Sequence, residues 1–154
     1  MIQWRQEIVN YSRGDNLALF WKLFTWRSRT RQKWIRNIQT LLISRIAHRH
    51  GGYIGIETVF HGRPRLPHGL HGVFISRFAR IGCDCCIYQN VTIGEIGRFA
   101  PQNGDRCLIG AGAILVGDIR VGNDVKIGAG AIIRSDVPDG SIIIPAAGIT
   151  IEKR

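Results

Sequence analysis

From Val73 to Val137 the chain repeats an aliphatic residue every six positions: Ile75, Ile81, Ile87 and Ile93, then, after one interruption, Ile109, Leu115, Val121, Ile127 and Ile133. Glycine follows directly at Gly82, Gly94, Gly110, Gly122 and Gly128. Four residues after an aliphatic comes a small or β-branched group: Ala79, Cys85, Val91, Ala113, Ile119, Val125, Ala131, Val137. Such a period suits neither an α-helix nor a hairpin meander. It predicts a short strand and a tight corner, repeated, which is the hexapeptide pattern of a parallel β-helix. Residues two apart share a strand face, so each small residue and the next aliphatic point inward together. The corners call for positive φ or nearly so, which glycine adopts freely and Asp105, Asn123 and Asp124 tolerate next best. Each buried aliphatic contributes about 2 kcal/mol, and a β-sandwich would not hold this register over such a length.

Ahead of the repeats the pattern turns helical. A helix is predicted from about Asn16, an N-cap after Gly14-Asp15, to about Ser28, and a second from about Arg31 to Ala47. In the second, Trp34, Ile38, Leu41, Leu42 and Ile46 form one apolar stripe. Gly51-Gly52 marks the change to coil, so residues 1–50 read as a helical arm and residues 51–154 as the β-helix. Gly55 to Gly62 begins an imperfect first turn, with Pro64 and Pro67 pinning the chain. The spacing between Ile93 and Ile109 leaves room for an extra loop within Glu95–Gln102. Beyond Val137, Pro138-Asp139-Gly140-Ser141 is a turn, and Ile142-Ile143-Ile144 a last strand.

Charge sharpens the division. Residues 1–50 hold ten Lys/Arg against Glu7 and Asp15, whereas residues 51–154 hold eleven against nine acids. All four tryptophans, Trp4, Trp21, Trp26 and Trp34, lie in the arm. Such an arm could pack against the β-helix or a neighbouring subunit, or lie on an anionic membrane through residues 16–50. Nucleic acid is not expected, because the glycine-rich body carries no recognised binding module. Arg5 and Glu7 interrupt any signal-peptide core, and no uncharged apolar run approaches the ~18 residues of a membrane span. The cytoplasm is the expected compartment, with the inner face of the membrane within the arm's reach. Cys83, Cys85, Cys86 and Cys107 lack zinc-site spacing, and no metal is expected. Cys85 and Cys107 fall where the repeat wants a small inward residue, leaving Cys83 and Cys86 as the thiols open to redox or nucleophilic chemistry.

Specific stretches go further than the period. Leu66-Pro67-His68, Gly72-Val73-Phe74-Ile75, Ile87-Tyr88-Gln89-Asn90-Val91-Thr92-Ile93-Gly94, Ile109-Gly110-Ala111-Gly112-Ala113 and Asp136-Val137-Pro138 resemble the serine acetyltransferase-like branch of the hexapeptide-repeat acyltransferases. The resemblance covers about residues 54 to 144. It implies a mainly β fold, a left-handed parallel β-helix, against the usual right-handed crossover rule. It also implies acetyl-CoA as co-substrate and a homotrimer with active sites between subunits.

Acetyl transfer from a thioester to an alcohol needs a general base near neutral pKa, a donor for the developing oxyanion and a slot for the pantetheine arm. Histidine suits the first role. His48 and His50 end a basic helix, and His61 occupies a repeat position. The resemblance points to His68, after the Leu66-Pro67-His68 pattern, with His71 as the alternative because one extra residue separates Leu66 from Gly72. Glu57 resembles the family's carboxylate that orients this histidine. For the coenzyme, Thr92, Gly94, Ala111 and Ala129 match family positions along the groove, and Lys126 and Arg134 could meet phosphates by charge. On the acceptor side Pro67 stands where serine acetyltransferases carry aspartate, and Arg98-Phe99-Ala100-Pro101 lacks their loop histidine. That departure favours a sugar or exopolysaccharide hydroxyl, because an amino acid's ammonium and carboxylate both need partners. Serine is the alternative acceptor, and a non-catalytic β-helix assembly subunit the reading from another class.

Overall fold

The computed structural model describes residues 17–146. Among these residues two helices, α1 (Ala18–Arg29) and α2 (Lys33–Arg49), precede a left-handed parallel β-helix. Its thirteen short strands stack into three flat faces. Face A holds β1 (Tyr53–Ile54), β3 (Phe74–Ile75), β6 (Thr92–Gly94), β9 (Ile114–Val116) and β12 (Ile132–Ile133). Face B holds β2 (Val59–Phe60), β4 (Arg80–Ile81), β7 (Gln102–Asn103) and β10 (Arg120–Val121). Face C holds β5 (Cys86–Ile87), β8 (Leu108–Ile109), β11 (Lys126–Ile127) and β13 (Ile142–Ile143). The chain runs A to B to C and repeats, and every strand pairing is parallel, one coil upon the next.

The core is the column that the repeat predicts. All nine aliphatic positions from Ile75 to Ile133 are buried, and so are the small residues from Ala79 to Val137. The interruption is a substitution as well as an insertion. Asn103 pairs with Ile81 below and Val121 above, in the inward position an aliphatic would hold. It is buried, and neither its Oδ1 nor its Nδ2 has a hydrogen-bond partner among the described residues. The extra residues stand out between β6 and β7 as expected, tied by an Ile96–Phe99 bridge. Cys85 and Cys107 are buried, and their thiols donate to the carbonyls of Gly104 and Gly122 at 3.2 and 3.1 Å.

The helices close the first coil. Trp21 and Phe24 of α1 pack edge-on against Phe60, with ring centroids 5.3 and 5.7 Å apart. Arg27 is a stitch between three elements: its Nε donates to Thr40 Oγ1 at 2.8 Å and its Nη1 to the Ile56 carbonyl at 3.3 Å. Burial, and then the charge of Arg36, lower its pKa. The start of α1 at Asn16 lies outside the described residues, and α2 begins and ends two residues later than the pattern predicts.

The stripe on α2 needs correcting as a packing face. The buried residues are Gln39, Ile43 and Ala47; of the stripe, Ile46 is half-buried and packs against the core, while Trp34, Ile38, Leu41 and Leu42 are exposed. The physical reason lies in what α2 meets. Polar groups are buried on the inward face too: Gln39 donates Nε2–H to Thr30 Oγ1 at 3.2 Å, while its Oε1 has no hydrogen-bond partner among the described residues. Small Ala47 marks the junction, where the Gly52 amide donates to the Ala47 carbonyl at 3.0 Å. A hydrophobicity pattern ranks faces by apolar content and is blind to both demands.

Candidate functional site

Each coil turns from face C to face A through a tight corner, and these corners stack. The Gly72 amide donates to the Gly51 carbonyl at 3.0 Å, Asn90 to His71 at 2.9 Å, Gly112 to Gln89 at 3.0 Å and Gly130 to Ala111 at 2.8 Å. Gly51, Gly72, Asn90, Gly112 and Gly130 all adopt positive φ, between 60° and 73°. Glycine and asparagine are the residues for which that conformation costs least.

This stack gathers candidates that lie far apart in sequence. His68 and His71 occupy its lower end, in the turn between Leu66 and Val73, and Ala111 and Ala129 occupy upper corners. With a coil rise of about 4.8 Å, Ala129 stands roughly 14 Å along the edge from the histidine turn. Past Gly130 the edge meets a cleft of about 360 Å³ lined by Ala131, Ile132, Ile144 and Pro145.

The two histidines differ. His71 Nδ1 lies 2.7 Å from the His68 carbonyl oxygen. A carbonyl can only accept, so Nδ1 carries the hydrogen and the neutral ring keeps its lone pair on Nε2. The His68 ring is exposed and tilts against Tyr88, with centroids 6.1 Å apart.

The remaining candidates spread out. Thr92 and Gly94 lie on face A and line a cleft of about 320 Å³ with Tyr53, Phe74, Ser76, Arg77 and Glu95. Lys126 projects from face C, and Arg134 follows β12 at the far edge of face A, so Ala129 lies between them. Glu57 is not beside His68 within one chain. It sits on the corner between faces A and B, in a cleft of about 590 Å³ shared with Arg27, Arg36 and Arg63. The resemblance implied that Glu57 orients His68, but a coil that turns through three faces carries Glu57 to a different edge.

The sequence pattern does not reveal one polar cluster. Ser76 Oγ donates to Glu95 Oε2 in a short contact and accepts the Phe78 amide at 3.1 Å. The Ser76 carbonyl accepts the Thr58 hydroxyl at 2.9 Å. Ser76 is thus held from three sides, with Glu95 and Arg77 at the rim of the face A cleft. Its one signal in the chain is that Ile75 is followed by serine where five other aliphatic positions are followed by glycine.

Comparisons with known proteins agree with this architecture. Residues 104–135 match the family model described as bacterial transferase hexapeptide (six repeats). A serine acetyltransferase of Helicobacter pylori strain J99 is 45% identical over 92 residues, covering 57% of this chain and 53% of that protein. One from Mycobacterium tuberculosis is 42% identical over 59 residues, 36% of this chain and 26% of that protein. Among solved structures, Neisseria gonorrhoeae serine acetyltransferase in complex with serine superposes with a TM-score of 0.73 at 27% identity, over 82% of this chain and 53% of that one. Serine acetyltransferase isoform 3 from Entamoeba histolytica, in complex with cysteine, superposes with a TM-score of 0.69 at 31% identity, over 77% and 43%. The chain spans about half the length or less of the curated relatives it matches. The resemblance to hexapeptide-repeat, serine acetyltransferase-like proteins is borne out.

Proposed function

We propose, from a hexapeptide-repeat chain of the serine acetyltransferase-like kind, that this protein is an acetyl-CoA-dependent O-acetyltransferase, and that serine is its acceptor. The observation that carries the reading is the stacked corner, where His68 and His71 share one edge with Ala111 and Ala129. Small side chains on that edge would leave room for the pantetheine arm to lie along it and bring the thioester to the histidine turn. The base, assigned to His68, takes the acceptor's hydroxyl proton as the oxygen attacks the thioester carbonyl. The tetrahedral adduct then collapses, the C–S bond breaks, and the proton goes to the departing CoA thiolate.

The acceptor reading moves from sugar towards serine for two reasons. The relatives are named serine acetyltransferases. The face A cleft also supplies both signs of charge, Arg77 and Glu95, which suit an amino acid's carboxylate and ammonium. These residues would stand in for the clamp weakened by Pro67 and by the loop without histidine. A sugar hydroxyl is the second reading, favoured by those same two departures.

The site is completed in a trimer. Tyr53, Phe74, Thr92, Ile114 and Ile132 stand in direct register on the outside of face A, and Phe74 and Ile132 are 50% and 64% exposed. A three-fold axis along this largely apolar column would set one chain's histidine edge against the next chain's Arg77–Glu95 cleft.

The test is CoA thiol release from acetyl-CoA with L-serine, free sugars and nucleotide sugars as acceptors. Serine-dependent release, with a KM for serine raised at least tenfold by Glu95→Gln, is expected. Release with a sugar alone would restore the glycan reading, and no release with any acceptor would favour an assembly subunit.

A further inference from the structure

We propose that the helical hairpin docks this protein on an anionic lipid surface, through the exposed apolar stripe of α2 and the exposed lysines and arginines of the two helices. The proposal is independent of which hydroxyl is acetylated.

The stripe is not a packing face left half covered. Trp34, Ile38, Leu41 and Leu42 fall at helical spacing on α2, and Trp34 and Leu41 are 66% and 67% exposed. The same helix buries a different set, Gln39, Ile43 and Ala47, against the rest of the chain. On α1, Leu19 and Trp26 are likewise exposed. An exposed run of Trp, Ile and Leu on a helix that already has its packing face needs another apolar medium.

Charge selects that medium. No aspartate or glutamate occurs between Asp15 and Glu57, whereas Lys22, Arg29, Lys33, Arg45 and Arg49 are exposed on the two helices. A second copy docking through this face would set one acid-free basic surface against another, with no carboxylate to pair the charges. A nucleic acid would satisfy the basic rim but would leave Ile38, Leu41 and Leu42 against phosphates and water. A bilayer with anionic headgroups satisfies both parts: the stripe enters the headgroup–acyl boundary while the arginines and lysines stay at phosphate level. Neither helix is long and apolar enough to cross. The helices therefore lie in the interface plane, and tryptophan is the side chain best suited to that depth.

The experiment is partition of the full chain onto phosphatidylcholine vesicles with and without phosphatidylglycerol, read by co-sedimentation and by quenching of tryptophan with brominated lipid. Binding is expected only with phosphatidylglycerol, falling about tenfold or more as salt rises from about 0.05 to 0.5 M. Lys33→Glu/Arg45→Glu should weaken it on the order of twentyfold, and Trp34→Ser/Leu41→Ser at least about tenfold. Both pairs are surface substitutions, so unchanged circular dichroism is expected. If either variant fails to fold, brominated-lipid quenching of the unaltered chain, reduced in Trp34→Phe, still decides. Absence of binding at low salt, equal binding to pure phosphatidylcholine, or no quenching overturns the proposal. So does self-association through this face that the Trp34→Ser/Leu41→Ser pair abolishes, or retention of DNA or RNA in preference to vesicles.

Discussion

Gly72 lies against Asn90 so closely that a Cβ placed on it would collide with the asparagine's side-chain oxygen and stand 3.0 Å from its Cα. Its φ of +65° adds a second reason for glycine. Gly72 closes the turn that presents His68 and His71, so Gly72→Ala is expected to act on stability and activity together. A side chain in the left-handed region costs roughly 1–2 kcal/mol, and the collision adds to it. Thermal denaturation should show a Tm lowered by several degrees, and thiol-release assays a lower kcat.

The two histidines should separate cleanly. General-base catalysis typically contributes about 10²–10⁴-fold. His68→Ala is therefore expected to lower kcat by at least ~100-fold with acetyl-CoA affinity nearly unchanged. His71→Ala, which removes the hydrogen bond to the His68 carbonyl, should cost much less. Reversed magnitudes would assign the base to His71, whose Nε2 lone pair the turn already leaves free.

Face A gives a test of assembly. Phe74→Glu or Ile132→Glu places a charge on the exposed apolar column without touching the inward Ile75 or Ile133. Sedimentation equilibrium should show loss of the proposed trimer while the β-helix circular dichroism is retained. A variant that stays trimeric would remove face A from the interface.

Asn103 weakens the core column. An unpaired buried polar side chain costs about 1–3 kcal/mol, and Ile81 and Val121 flank it in register. Asn103→Val should raise Tm by on the order of 5 °C, measured in the same melts. An unchanged or lowered Tm would mean that the amide has a role in the native state that valine cannot fill.

Acid should loosen the junction of helix and coil. Burial, and then the nearby charge of His71, hold the His50 pKa below its usual value. The folded state thus takes up this proton less readily than the unfolded chain. His50 contributes stability that is present above the unfolded value of about 6.5 and lost as pH falls through its lower folded value. The drop in Tm between about pH 7.5 and pH 5.5 should be smaller in His50→Gln than in the unaltered chain.

The core is legible in the sequence because a solenoid is nearly one-dimensional: each coil packs on its neighbours, and inward residues recur at a fixed step. Of the expected corner residues only Asp124 takes positive φ, and Asp105, Asn123 and the glycines that follow the aliphatic positions do not, but the repeat from Ile75 to Ile133 and the loop after Gly94 are written in the order of the residues themselves. So are His68 and His71, since a turn of one coil is a local feature. What the tertiary structure decided depends on which edge of the prism each residue reaches. Stacking brought Ala111 and Ala129 onto the histidine edge, carried Glu57 away to Arg27, and joined Ser76 to Glu95 from adjacent coils. On α2 it turned Gln39, Ile43 and Ala47 inward and left Trp34 and Leu41 outside. Periodicity shows that a helix has an apolar side; only the shape and hydrogen-bonding needs of the opposing surface settle which side the chain itself covers.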